Sequence, residues 1–224
     1  LGATDYTLVT VAVDATGSTV GFEKELDDML RVAVESCKKS PRSDNILVRV
    51  VIFSTQFPSG VSEIHGFKPL AEIDVTQYSP IRPGGMTPLC DAVYSSLGAT
   101  NAYAKALRDQ DYGVNGIFFV ITDGMENASV ATMTMVKDEQ EKARKNEALE
   151  SLISILVGVN DAQCQQGLDQ FRAEAGMTQY VSVGDVMKNP RKLAKLAEFV
   201  SKSVSSQAQA RGTGGPSQQI AATI

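Results

Sequence analysis

Three short segments of this chain combine glycine with side chains that carry carboxylate or hydroxyl oxygens. Residues 14–18 read Asp-Ala-Thr-Gly-Ser, residues 84–89 read Gly-Gly-Met-Thr-Pro-Leu, and residues 121–124 read Ile-Thr-Asp-Gly. Such oxygens are the ligands that hard, six-coordinate cations such as Mg²⁺ prefer. If the segments meet, the sequence predicts a divalent-cation site made from two carboxylates and three hydroxyls: Asp14, Thr16, Ser18, Thr87 and Asp123.

The small number of carboxylates in this set has a chemical consequence. A divalent cation that is held by two carboxylates, neutral hydroxyls and water keeps part of its positive charge. That charge favours a further carboxylate, supplied by another molecule, as the last ligand. The residue types therefore indicate a site that can bind an acidic group of another molecule.

Hydrophobic patterning identifies the elements that must position these segments. Five apolar runs rich in β-branched residues alternate with longer segments that have helical spacing. Near-continuous apolarity is typical of strands covered on both faces, as in parallel sheets. In such a sheet, ligands bind at the edge where the strands end. The runs are residues 8–13, 46–53, 117–122, 152–159 and 180–183.

This alternation predicts an α/β fold, a doubly wound and mostly parallel sheet with right-handed crossovers and helices on both faces. Residues 61–73 alternate more and follow the second run after a short Pro-Ser-Gly turn, so we expect one antiparallel edge strand there. Residues 136–150 interleave acids and bases, which indicates a helix with a solvated face.

The C-terminal end of the chain has a different composition. From residue 205 onward, Ser, Gln, Ala and Gly dominate. This composition is typical of a flexible tail or linker. We therefore predict one folded domain over residues 1–204 and a flexible tail over residues 205–224.

Charge and composition disfavour several classes of protein. The chain has 21 Lys and Arg against 26 Asp and Glu, a net charge of −5, which disfavours nucleic acid as the main partner. No apolar run is long enough for a membrane span. The three cysteines are an odd number without CxxC spacing, which argues against disulfides and zinc. We therefore expect a reducing, cytoplasmic environment.

The three oxygen-bearing segments resemble the signature of von Willebrand factor type A (VWA) domains. Residues 14–18 resemble the Asp-x-Ser-x-Ser motif of that family, residues 84–89 its Gly-Gly-Thr-Pro-Leu loop, and residues 121–124 its Thr-Asp-Gly loop. The resemblance covers residues 5–204. Two positions depart from the pattern, because Thr16 stands where Ser is usual and Met86 is inserted before Thr87.

The resemblance implies a Rossmann-like VWA fold with a metal-ion-dependent adhesion site (MIDAS). In it, Thr16, Ser18 and Thr87 would supply hydroxyl ligands, and Asp14 and Asp123 would bind directly or through water. The implied cation is Mg²⁺, with Mn²⁺ or Ca²⁺ as alternatives. The implied function is non-enzymatic binding of a partner protein through an exposed acidic residue. Intracellular relatives often act within assemblies that contain an ATPase or other subunits.

An enzyme is the rival hypothesis. A Mg²⁺-dependent phosphotransferase of the haloacid dehalogenase-like type also places an Asp after its first strand. That chemistry needs a second acid two residues later, where this chain has Thr16. An aspartic protease needs Asp-Thr-Gly without a break, and the glycine motifs of nucleotide-binding enzymes are absent. His65 is the only histidine, so no catalytic histidine pair can form.

Overall fold

The computed structural model describes residues 4–145, 148–185 and 191–213. Within this part the strands form one six-stranded sheet in the order β3-β2-β1-β4-β5-β6. Neighbouring strands run parallel except β2 and β3, which confirms the predicted mostly parallel sheet with one antiparallel edge strand. The strands are β1 (Asp5–Asp14), β2 (Ile46–Phe53), β3 (Val61–Pro69), β4 (Gly113–Thr122), β5 (Ser151–Val159) and β6 (Gln179–Gly184).

Helices cover both faces of this sheet, as the sequence predicts. Side chains alternate along β1, so Val9 and Val11 pack under α1 and α5, whereas Ala12 packs under α2, α3 and α4. None of the described helices is long and apolar enough to cross a membrane. The α-helices are α1 (Glu23–Cys37), α2 (Leu89–Arg108), α3 (Met133–Lys145), α4 (Gln165–Glu174) and α5 (Arg191–Thr213).

The strand order places a switch point between β1 and β4. After β1 the chain builds the sheet outward on one side through β2 and β3, and it then returns to the other side of β1 as β4. The register pairs Val13 of β1 with Ile121 of β4. Both strands therefore end side by side, which brings residues 14–18 next to residues 122–124, at the point where open α/β sheets bind ligands.

Helix α5 differs from the predicted flexible tail. It continues past residue 205 to Thr213, and Gln207 and Ala208 are buried. The Gln207 Nε2 donates to the Ser151 hydroxyl at 2.7 Å, and Arg42 Nη1 donates to the Ala208 carbonyl at 3.2 Å. These polar contacts compensate for the low apolar content of the segment. Residues 214–224 of the predicted tail lie outside the described residues.

His65 lies on β3 and is half-buried. Its Nδ1 lies 2.8 Å from the Gly66 carbonyl oxygen, and its Nε2 lies 2.7 Å from the Tyr78 hydroxyl. Because a carbonyl only accepts, Nδ1 carries the proton of the neutral ring and Nε2 accepts from Tyr78. Burial lowers the pKa of His65 below its usual value.

A pH dependence of stability follows from this lowered pKa. The folded state binds the proton less readily than the unfolded chain, so the stabilisation by His65 is present above about pH 6.5 and is lost as the pH falls. We expect the difference in unfolding free energy between the parent and His65→Gln to shrink from pH 7 to pH 5. Urea titrations at each pH measure it, and a difference that is constant or grows toward low pH would contradict the assignment.

Candidate metal centre

The structure brings all five predicted ligand residues together at the β1/β4 switch point. A chain of short contacts joins their oxygens. The Thr87 hydroxyl lies 3.5 Å from the Thr16 hydroxyl, which lies 3.0 Å from the Ser18 hydroxyl. The Ser18 hydroxyl donates to Asp123 Oδ1 at 2.7 Å. Asp14 joins the cluster through the Thr16 backbone N–H, which donates to its Oδ1 at 2.8 Å.

Asp14 is held from two sides at the end of β1. One carboxylate oxygen accepts the Thr16 N–H, and the other accepts the Thr122 hydroxyl at 2.6 Å. The second bond crosses from β1 to β4, which pair in parallel. Asp14 and Thr16 are almost fully buried, whereas Ser18 is exposed and Asp123 partly exposed. The cluster thus runs from the interior to the surface.

The loop that carries Thr87 is fixed by the loop that follows β2. Gly85 has a φ of +72°, and a Cβ there would lie 2.7 Å from the hydroxyls of both Ser54 and Thr55. Only glycine therefore fits at this position. Two hydrogen bonds between the backbone of Met86 and Thr55, at 2.9 and 3.1 Å, hold the next residue. The inserted Met86 is accommodated, and Thr87 still reaches the cluster.

The loop after β4 is tied to the start of helix α2. Asn127 Oδ1 accepts the Thr87 N–H at 2.8 Å, and its own N–H donates to the Thr87 carbonyl at 3.1 Å. Glu126 accepts the Cys90 N–H at 2.7 Å and the Ser129 hydroxyl at 2.6 Å. These bonds satisfy N–H groups that a helix start leaves without partners, and they fix the loop that carries Asp123.

Asp91 has a related role. The sequence leaves two alternatives for it, a supporting residue of the metal site or a stabilising charge in the first turn of a helix. Its carboxylate accepts the backbone N–H of Val130 at 3.1 Å and that of Ala131 at 2.7 Å. It therefore holds the far end of the same loop.

Removal of the Glu126 carboxylate is expected to destabilise this face of the domain. It accepts four hydrogen bonds, from Cys90 N–H, Ala128 N–H, Ser129 N–H and the Ser129 hydroxyl. We expect Glu126→Ala to lower the unfolding free energy by roughly 2–4 kcal/mol, because several donors lose their acceptor. Glu126→Gln, which keeps one oxygen, should lose less. Denaturant titration of both variants measures this, and an unchanged stability in Glu126→Ala would contradict it.

The electrostatics of the cluster favour a cation. Burial raises the pKa of Asp14 to about 6, Asp123 adds to this, and hydrogen bonds from Thr122 and Thr16 oppose it. Burial also raises the pKa of Asp123. No ion pair between described residues includes either carboxylate. Two partly desolvated carboxylates without a basic partner are the environment that a bound cation would compensate.

The donor set also decides which kind of cation fits. The described residues contain no cluster of three or more His, Cys, Asp or Glu side chains that could hold a metal. The five residues instead offer hard oxygens, three of them hydroxyls, which suits Mg²⁺ better than a softer metal. Gly124 borders the cluster, because a Cβ there would lie in ordinary van der Waals contact with the Thr87 hydroxyl, at 3.5 Å. The residues therefore fit a hard divalent cation.

The roles of some residues that shape the site could not be assigned from the sequence. Thr122 lies within the Thr-Asp-Gly segment but receives no role until its hydroxyl is seen against Asp14. The sequence leaves two interpretations of Glu126 and Asn127, a rim of the ligand face or a solvated loop. In the structure their side chains bond to the backbone at Cys90 and Thr87. Ser129 is a residue type that forms local side-chain hydrogen bonds, but its contact with Glu126 and the contact of Glu126 with Cys90 are seen only in the structure.

Comparisons with solved structures identify the fold. No family model matches the sequence, and no curated protein sequence matches it. The pilus adhesin SpaC from Lactobacillus rhamnosus GG aligns with a TM-score of 0.67 and 11% identity over 90% of this chain and 31% of its own. The ArnB paralog VWA2 from Sulfolobus acidocaldarius aligns with a TM-score of 0.57 and 10% identity over 90% of this chain and 46% of its own.

A third similar structure carries a metal. Proximal thread matrix protein 1 from the mussel byssus, in a form with a zinc-occupied MIDAS motif, aligns with a TM-score of 0.60 and 17% identity. The alignment covers 92% of this chain and 48% of that protein. This chain therefore spans less than half the length of each of these three proteins. It has a VWA-like, Rossmann-like fold, as the resemblance implies.

Proposed function

We propose that this chain is a protein-interaction module that binds an acidic residue of a partner protein through a divalent cation, with Mg²⁺ as the resident ion. The proposed ligands are Asp14, Thr16, Ser18, Thr87 and Asp123. The observation that carries the proposal is the continuous chain of oxygens from Thr87 through Thr16 and Ser18 to Asp123, next to the buried Asp14. The mussel protein with a zinc-occupied MIDAS supports a cation in this fold.

The five proposed ligand residues have different roles. Asp14 and Asp123 supply negative charge, and the hydroxyls of Thr16, Ser18 and Thr87 supply neutral oxygens. A cation bound there would act as a Lewis acid that attracts an anionic oxygen from outside. Ser18 and Asp123 lie nearest to solvent and border the path of approach. Thr87 comes from a different loop than Ser18, so its position couples the two loops.

The non-enzymatic part of the proposal has separate support. Similar structures include a pilus adhesin, a minor pilin and a matrix protein. Thr16 occupies the position of the general acid/base in the phosphotransferase alternative, and its hydroxyl cannot serve in that role at neutral pH. A phosphatase assay with Mg²⁺ tests the alternative directly. The assembly with an ATPase or other subunits, and the cytoplasmic location, stay predictions.

A peptide titration tests the proposal. We expect the probe acetyl-Gly-Asp-Gly-amide to shift NMR signals of residues 14–18 and 84–87 in Mg²⁺ but not in EDTA. Acetyl-Gly-Asn-Gly-amide should bind far more weakly, because it lacks the charge. Thr87→Ala should weaken peptide binding about tenfold, and more than it weakens Mg²⁺ binding, whereas Thr87→Ser keeps the hydroxyl and serves as the control. Binding that is equal in Mg²⁺ and in EDTA would contradict the proposal.

A further inference from the structure

We propose that four exposed apolar side chains, Val20, Met86, Met125 and Val130, form an apolar rim around the cation site, and that this rim binds large apolar side chains flanking the partner's acidic residue. The inference rests on the proposed function, because the rim surrounds the same five oxygen ligands. It adds a second recognition element, and it identifies the partner as a protein segment in which Asp or Glu lies between apolar residues.

The distribution of exposed apolar residues carries this inference. Seven large hydrophobic side chains of the described part are exposed, and the four rim residues, with exposed fractions from 43% to 88%, lie on the three loops that hold the proposed ligands. Val20 follows Ser18 by two residues, Met86 precedes Thr87 directly, and Met125 follows Asp123 by two. Single exposed apolar residues are common, but their concentration around one polar site indicates an interaction surface.

Hydrogen bonds join the three loops into one surface. The Gly17 N–H donates to the Gly85 carbonyl at 3.0 Å, which connects the loop of Val20 to that of Met86. The Asn127 N–H donates to the Thr87 carbonyl at 3.1 Å, which connects the loop of Met86 to that of Met125 and Val130. The rim residues therefore lie on three loops that hydrogen bonds hold side by side at the cluster of oxygens.

The backbone under the rim is fixed while the side chains stay in water. The backbone N–H and the carbonyl of Met86 both form hydrogen bonds with Thr55, and the Val130 N–H donates to the Asp91 carboxylate. Met125 lies over helix α4, where any side chain at Gly167 would collide with its thioether. The anchored loops hold these side chains at the surface, where Met125 also packs on α4 at Gly167. Methionine is also unbranched and adapts to different apolar partners.

Charge distinguishes between the possible occupants. Two neighbouring carboxylates outside the proposed ligand set, Glu126 and Asp91, accept backbone and hydroxyl hydrogen bonds from residues 90 and 128–131. They are thus engaged within the domain, which leaves the apolar rim and the ligand oxygens to meet the partner. An anionic lipid surface is disfavoured by the net charge of −5. A protein segment with one acid between apolar side chains matches both features.

Two peptide probes that share the acid test the inference. We expect acetyl-Leu-Asp-Leu-amide to bind the Mg²⁺-loaded protein about tenfold more tightly than acetyl-Gly-Asp-Gly-amide, because its leucines bury apolar surface against the rim. In protein with ¹³C-methyl methionine, the Leu peptide should shift the Met86 and Met125 methyl signals and leave that of Met135 unchanged. Met86→Ser combined with Met125→Ser should abolish most of the tenfold preference.

Two exposed apolar residues outside the rim provide matched control variants. Met135→Ser on α3 and Val32→Ser on α1 remove side chains that are 39% and 49% exposed but lie outside the three loops, and they should keep the preference. Equal affinity for both peptides would overturn the rim and leave the proposed function intact. Failure of both peptides to bind in Mg²⁺ would overturn the proposed function itself. Preferential Mg²⁺-dependent binding to phosphatidylserine vesicles would instead assign the rim to a lipid surface and overturn the inference.

Discussion

Asp123→Asn and Asp14→Asn variants are expected to lose the stabilisation that Mg²⁺ gives to the parent. A ligand that binds only the folded state at one hundred times its Kd contributes about 2.7 kcal/mol. For a domain of this size, that corresponds to a rise in Tm of roughly 5–10 °C. Each variant removes one of the two negative charges of the proposed site while it keeps the shape of the side chain. Calorimetric Mg²⁺ titration and melting curves in Mg²⁺ and in EDTA measure the effect.

The amide variants are chosen because Asp14 is buried. An Asn there can still accept the Thr16 N–H, and its amide can donate to the Thr122 hydroxyl, so the fold is preserved. Asp109→Asn is the matched control, because Asp109 is exposed, follows the C-terminal end of α2 and pairs with Lys105 on the surface. A Mg²⁺-induced shift in Tm that is equal in the parent and in both site variants would show that the cation binds elsewhere.

Truncation after Ser205 is expected to destabilise the domain strongly. It removes Gln207, whose side chain is fully buried and bonded to Ser151, and Ala208, whose carbonyl accepts from Arg42. Loss of these bonds and of the packing between α5 and the sheet should lower the unfolding free energy by about 3 kcal/mol. The expected fall in Tm is roughly 6–12 °C, measured by differential scanning calorimetry.

A second truncation locates the effect. Truncation after Thr213 keeps every contact that the structure describes, so it isolates the contribution of residues 206–213. Gln207→Ala should reproduce part of the loss, on the order of 1–3 kcal/mol, because Ser151 loses its donor. If truncation after Ser205 leaves Tm unchanged, the final turns of α5 contribute nothing to stability, and the sequence-based tail boundary is correct.

Local patterning in the sequence determines the sheet and the position of the site. Strand β2 coincides with its predicted residues 46–53 because eight mostly apolar residues form a run that only a doubly covered strand satisfies. Parallel strands with helical crossovers end at one edge of the sheet, so the segments after β1 and β4 had to meet there. That geometric rule accounts for Asp14, Thr16, Ser18 and Asp123. Thr87 is proposed from its residue type, on a glycine turn that opens a helix.

Contacts between distant parts of the chain decided the rest. The segment from residue 205 has a polar composition, yet it is helical because Gln207 meets Ser151 of β5, 56 residues earlier in the chain. Glu126 and Asp91 could be assigned only when α2 and the loop after β4 were placed together. The rim around the site likewise depends on three loops held side by side. A short stretch of sequence shows the structural propensities of neighbouring residues. A buried polar side chain is stabilised by a hydrogen-bond partner that lies far away in the sequence, so its role is seen only in the folded structure.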